Sequence, residues 1–278
     1  EVAMEKKYTR PSSLQAKMEA ISVFSMFTQL ITISANSPLV NSEILLVLSQ
    51  LNAIIYTKQK IRSNLMLNFL KNEGVSHKII SEVERFREGF SVGDSLRHRI
   101  PVPRYLYYGK EICEEAITAL LCGENLLLVG PKATGKNVLA ENLAAVFGRP
   151  SWDVSFYINT DAATLLGTDT FADGAVTLRK GPIYQCAENG GFGILDEINM
   201  AKNESLAVLH ATLDFRRCID MPGYERITMH DATRFIATMN YGYAGTRELN
   251  EALASRFVVI DMPAISTDGL IKLLCREY

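Results

Sequence analysis

The stretch NLLLVGPKATGKN, residues 125–137, constrains this chain more than any other. An apolar run from Leu126 to Val129 passes straight into a loop bounded by two glycines, then a lysine, then an amphipathic pattern at Val138, Leu139, Leu143 and Val146. A strand that enters a helix through such a loop can curl its backbone N–H groups around an anion, to which the helix N-terminus adds a partial positive charge. Gly130 and Gly135 permit that backbone, and Lys136 adds a full charge. An ordinary strand-to-helix turn is the alternative. The candidate phosphate-binding residues are Gly130, Pro131, Lys132, Ala133, Thr134, Gly135, Lys136 and Asn137. The last departs from the pattern G-x-x-x-x-G-K-[ST]. Asn137 stands where a hydroxyl would ligate Mg²⁺; its amide oxygen can ligate too, but it is bulkier and can hold the metal through water.

Three further segments bear on the same site. GFGILDEIN, residues 191–199, is an apolar strand ending in Asp196 and Glu197. In a nucleotide site the first carboxylate helps to hold Mg²⁺ and the second orients and deprotonates the attacking water. Adjacent strand residues point to opposite faces, so strand twist is expected to bring both to the loop. RFIATMN ends in Asn240, an amide that can position water at a strand tip or simply form a turn. GTRELNEALASRF carries Arg247 and Arg256 on a helical stretch before the strand FVVIDMP. Each arginine is an ordinary surface residue or, in a ring ATPase, a group that reaches a neighbour's γ-phosphate.

The apolar runs NLLLVG, GFGILDE, RFIATMN and FVVIDMP alternate with helical patterns, as parallel strands covered on both faces do. The expected fold is α/β, a doubly wound sheet with its site at the C-terminal strand ends. Upstream the texture is helical. Leu14, Met18, Ile21, Phe24, Phe27 and Ile31 form one stripe, broken at Asn36–Pro38; Ile44, Leu48, Leu51, Ile55, Arg62, Leu65 and Phe69 form another, stopping at Gly74, and Ser76 could cap a third helix. SVGDSLRHRIPVPRY, residues 91–105, reads as a boundary. The expected domains are a helical N-terminal module over 1–95 and a nucleotide-binding domain over 96–278.

GPKATGKN, GILDEIN, ATMN and ALASRF, in this order, resemble the AAA+ ATPases, and specifically their MoxR-like and dynein-related branch. Two inserts sharpen the resemblance. LLGTDTFADGAVTLRKGPIYQCAENGG reads as a hairpin turning at Ala172–Gly174 followed by a further segment, similar to that branch's helix-2 insert. CIDMPGYERITMH, turning at Pro222–Gly223, is similar to the hairpin before the sensor strand. The likeness covers about 100–263 and implies an AAA+ P-loop core using ATP and Mg²⁺. It makes Lys136 the Walker A lysine, Asp196 and Glu197 the Walker B pair, Asn240 the first sensor, and Arg256, with Arg247 as alternate, the arginine finger. It also implies a ring, expected to be hexameric, and a protein client, often one with a von Willebrand A domain. Family members continue into a helical lid, and the chain is expected to stop short of it, with weak turnover as the result. The alternatives are a nucleotide-binding switch with negligible turnover, which Asn137 favours, and a nucleic-acid-linked motor using ATP or GTP. Tyr107, Tyr108 and Gly109 are candidates to lie near the base, or to pack against the linker.

Composition fits this reading. The chain has 278 residues, 47% hydrophobic and 22% charged, enough for a sizeable core. A net charge of -2 supplies no basic field for nucleic acid or anionic membrane. The five cysteines show no C-x-x-C pair, so reduced thiols and a cytoplasmic protein are expected. ISVFSMFTQLITI is shorter than the ~20 residues of a membrane span. A chain that begins at Glu1 is expected to be trimmed, which leaves targeting segments open.

Overall fold

The computed structural model of the chain describes residues 64–172, 174–241 and 248–277. The chain divides into two compact units, Glu1–Lys60 and Ile61–Tyr278, and every described residue lies in the second. The stripes expected between Leu14 and Arg62, like Arg247, lie outside the described residues.

After a helical stretch over 64–72, the elements run α1 (His77–Gly89), α2 (Lys110–Leu121), β1 (Asn125–Val129), α3 (Lys136–Phe147), β2 (Ser151–Ser155), α4 (Ala162–Leu166), β3 (Gly167–Ala172) and β4 (Ala175–Lys180). They continue with α5 (Pro182–Glu188), β5 (Phe192–Asp196), α6 (Asn203–Leu206), α7 (His210–Leu213), β6 (Cys218–Ile219), β7 (Ile227–Thr228), β8 (Arg234–Met239), α8 (Glu251–Ala254), β9 (Phe257–Asp261) and α9 (Thr267–Glu277). Gly74 ends the first stretch in a left-handed conformation, φ 80°, as a helix stop requires. Ser76 takes the N-cap position of α1, but its side chain makes no cap bond; its N–H donates to Glu114 Oε1 at 2.7 Å instead.

Five strands form one sheet in the order β2-β5-β8-β1-β9, and every pairing is parallel. The fold is thus α/β, a parallel sheet with helices on both faces, as expected. The apolar runs became strands because both faces are covered: every residue of β1 is buried, as are the first five of β8. Leu126, Leu128, Ile194, Ile236 and Ile260 pack on the side of α2 and α3, while Leu127, Leu195, Phe235 and Ala237 pack on the side of α5. The fifth strand, SWDVS, went unforeseen. It is an edge strand whose Trp152 and Val154 are buried while Asp153 and Ser155 are exposed, so its apolar signal is two residues long.

The stretch 91–105, expected as a boundary, contains a short 3-10 turn, Asp94–Arg99, and an extended run. Upstream of it, α1 packs on α2 and α3. Arg87 of α1 donates from Nε to Val146 O at 2.7 Å and from Nη2 to Ala145 O at 3.1 Å, two carbonyls at the end of α3. Both inserts form hairpins: β3 pairs antiparallel with β4 over six residue pairs, and β6 with β7 over two. Tyr224 OH, from the loop between β6 and β7, donates to Asp169 Oδ1 of β3 at 2.6 Å and ties one hairpin to the other. The five cysteines are free thiols. Among the described residues, no helix is long and apolar enough to cross a membrane.

Candidate functional site

The loop between β1 and α3 is shaped by two glycines for different reasons. Gly135 sits at φ 84°, where a side chain would be strained, and a Cβ on Gly130 would come within 2.9 Å of Met262 O. Ala133 is also left-handed, at φ 63°. Lys136 is buried and folds back over the loop, donating to Gly130 O at 2.9 Å and Pro131 O at 2.7 Å. Burial pushes its ammonium below the ordinary lysine range, against the opposing pull of Asp196 and Glu197. Asn137, one residue into α3, is exposed.

Asp196 ends β5, and Glu197 leaves the strand in a left-handed conformation, φ 54°. This turn re-aims Glu197, where strand twist was expected to do so. A non-glycine residue held there costs about 1–3 kcal/mol and persists only where its surroundings fix it. Two bonds fix this one. Thr238, 1% exposed on β8, accepts the Glu197 N–H on its hydroxyl at 3.0 Å and donates that hydroxyl to Asp196 Oδ1 at 2.6 Å. Asn240 Nδ2 donates to Glu197 Oε1 at 3.0 Å, and Asn199 Nδ2 in turn holds Asn240 O at 2.9 Å. Sequence reading named Asn240 but missed Thr238 and Asn199. Thr238 lies one step beyond the registered pair Leu195–Ala237, so strand register was the signal that could have found it.

The residues brought together are therefore the loop, Lys136, Asp196, Glu197 and Asn240, all at the C-terminal ends of adjacent strands. Arg256 is not among them. It precedes β9, whose Phe257 pairs with Asn125 at the start of β1, while the loop follows Val129 at the other end. Five residues of strand separate the two levels, about 16 Å at the usual rise. Arg256 is held by its own chain: Nε donates to His210 O at 3.3 Å, Nη1 to Ala252 O, and Nη2 to Asp214 Oδ2 at 3.5 Å.

Tyr107 lies against the loop, its Cδ2 being 3.2 Å from where a Gly135 Cβ would stand. Its backbone is fastened by Asn142 of α3, whose Oδ1 accepts the Tyr107 N–H at 3.1 Å and whose Nδ2 donates to Tyr105 O at 2.9 Å. Burial raises the Tyr107 phenol to about 12, so it stays protonated. Tyr108 instead packs edge-on to Phe69, with the Lys272 ammonium 5.4 Å from its ring centre.

The donor set fits a nucleotide with Mg²⁺. A glycine cradle that a Cβ would fill, a buried lysine beside it and a carboxylate at the adjoining strand end suit phosphate and a hard cation. Lys136 and the loop would hold the phosphates; Asp196, with Asn137, would hold the metal.

Comparison with known proteins agrees. The AAA domain family, dynein-related subfamily, matches residues 125–257. The chain is 36% identical over 210 residues to the uncharacterized protein YojN of Bacillus subtilis, covering 74% of this chain and 67% of YojN. It is 39% identical over 160 residues to the uncharacterized protein SAB1265c of Staphylococcus aureus, covering 55% of this chain and 60% of that protein. A solved structure of a candidate ATPase from Cytophaga hutchinsonii superposes with a TM-score of 0.52 at 18% identity, over 81% of this chain and 59% of that one, a likeness of fold. This chain thus spans about two thirds of the length of YojN and less of the other two.

Proposed function

The chain belongs to the dynein-related subfamily of AAA domains, and from that premise we propose that it is the nucleotide-binding part of an ATP-driven remodelling ATPase of the MoxR-like kind. It works as a ring on a protein client, a von Willebrand A domain protein being the kind of client that this branch suggests. The ring is proposed as a hexamer of identical subunits in the cytoplasm.

One observation carries the reading: Lys136, Asp196, Glu197 and Asn240 meet at one end of the sheet, while Arg256 stands at the other. A guanidinium about 16 Å of strand away from its own loop serves a phosphate best in the neighbouring subunit. Bound ATP and Mg²⁺ supply the reacting phosphate and its charge neutralisation. The chain's own groups do the rest. Lys136 and the loop N–H groups would hold phosphate oxygens, and Asp196 would help to hold the metal. Glu197, turned inward by its left-handed backbone, takes the proton from water, with Asn240 orienting its carboxylate. Arg256 meets the charge that develops on the neighbour's γ-phosphate.

The test is mixing in the full-length protein. Arg256→Ala and Lys136→Ala should each be inactive, and mixed assemblies should recover ATPase activity at interfaces that pair an intact loop with an intact arginine. Full activity of Arg256→Ala at assembling concentrations would reject the finger. A second reading, a nucleotide switch with negligible turnover, is favoured by exposed Asn137 in place of a hydroxyl ligand. Tight ATP binding without hydrolysis in the assembled full-length protein would select it.

A further inference from the structure

The clamp around Arg256 has a centre that the catalytic reading leaves without a role. Asp214 is the C-cap of α7, and its side chain is only 11% exposed. Arg216 grips it on both oxygens: Nε lies 3.0 Å from Oδ1, Nη2 lies 2.7 Å from Oδ2, and the Arg216 N–H adds a third bond to Oδ1 at 3.0 Å. Arg256 touches the same Oδ2 only at 3.5 Å. The carboxylate thus has one close, forked partner and one distant partner. From this asymmetry we propose that Asp214 is the charged positioning residue of Arg256, acting beside the His210 and Ala252 carbonyls to hold its guanidinium until a neighbouring copy's phosphate takes it over.

The chemistry favours such a transfer. Charge-assisted N–H···O bonds are strongest at about 2.7–2.9 Å, so a 3.5 Å contact is weak beside what a phosphate oxygen offers a guanidinium. When Arg256 leaves, Asp214 is not stranded, because the Arg216 fork remains. Hydrogen bonding from Arg216 already holds the Asp214 carboxyl at about 2, so it stays ionised throughout. The Arg256 side chain is 22% exposed, partly open to a visitor. Phe215, between Asp214 and Arg216 in the sequence, is 92% exposed. An aromatic ring so displayed, next in sequence to Asp214, suits burial against a second copy.

The inference rests on the proposed role of Arg256, and its tests separate the two. In the full-length protein, Asp214→Asn should lower kcat by about 10²-fold, the scale of loss from misplacing a group by ~1 Å, with KM for ATP unchanged. Asp214→Glu should restore part of the loss. Mixing Asp214→Asn with Lys136→Ala should recover activity, because each supplies what the other lacks. Mixing it with Arg256→Ala should not, because both spoil the same arginine. Without turnover, phenylglyoxal labelling of the unassembled protein, read by mass spectrometry, should modify Arg256 several-fold faster in Asp214→Asn, with buried Arg149 unchanged as the control for folding. Parent kcat with parent labelling, or recovery on mixing with Arg256→Ala, would overturn the proposal. If Arg256→Ala itself keeps parent activity, the finger reading fails, and labelling still decides whether Asp214 holds the arginine.

Discussion

Asn240 donates its side-chain amide to Glu197 Oε1 across 3.0 Å, tying the tip of β8 to the residue that follows β5. The bond occupies one carboxylate oxygen and leaves the other for water. Glu197→Gln should therefore keep ATP bound while turnover falls by about 10²- to 10⁴-fold, the usual worth of general-base help. Single-turnover hydrolysis beside equilibrium ATP binding checks this; equal turnover of variant and parent would reject the role.

Thr238 is the residue through which Asp196 and Glu197 are held together. Thr238→Val keeps the shape and removes the hydroxyl, leaving a half-buried N–H and a half-buried carboxylate oxygen each short of a partner. The expected cost is about 1–3 kcal/mol in chemical denaturation. Turnover should fall as well, because the left-handed backbone at Glu197 loses a support. A variant as stable and as active as the parent would show that Asn240 alone fixes Glu197.

Lys136→Ala should abolish most ATP affinity, since its ammonium is the buried full charge that folds back over the loop. Calorimetry decides, and unchanged affinity would remove the phosphate-loop assignment.

Asn137→Thr should restore a direct hydroxyl ligand and lower the Mg²⁺ concentration needed for hydrolysis if metal affinity limits the rate. A magnesium titration of both proteins reads this. No change would mean that the asparagine already serves as the ligand.

Asp214 makes stability depend on acid in a defined direction. Its carboxyl is depressed from 3.8 to about 2, first by the Arg216 hydrogen bond. A depressed carboxyl contributes stability that is complete above its unfolded value and is lost as pH falls through the folded one. The melting temperature of the parent should exceed that of Asp214→Asn at pH 5, and the gap should narrow as pH is lowered from about 4 towards 2. A gap constant over that range would contradict the pairing.

Much of this architecture was legible because buried parallel strands write themselves as unbroken apolar runs. β1, β5, β8 and β9 all did so, and three of them end in the residues that meet at the site. What stayed hidden was either alternating or distant. β2 shows two apolar residues because an edge strand covers one face. Thr238 reads as one more β-branched residue inside RFIATM, and only its register beside Asp196 gives it meaning. Asp214 and Arg256 lie 42 positions apart, and DFRR looks like any charged turn. The expectation that twist would bring Glu197 round was reasonable for regular strand, but a local left-handed residue did the work.

Arg149 follows the end of α3 and is 1% exposed. It donates to Gly190 O at 2.7 Å and Asn189 O at 3.4 Å, in the turn before β5, and to Phe90 O at 2.7 Å, just past α1. The helix that starts at Lys136 and the strand that ends at Asp196 are therefore bolted together at the ends farthest from the nucleotide loop. Lys136 and Asp196 thus stand on two elements whose far ends share one buried guanidinium. Arg149 is the anchor common to both, and through Phe90 O it fastens α1 to the same point, so one substitution there would loosen three elements at once.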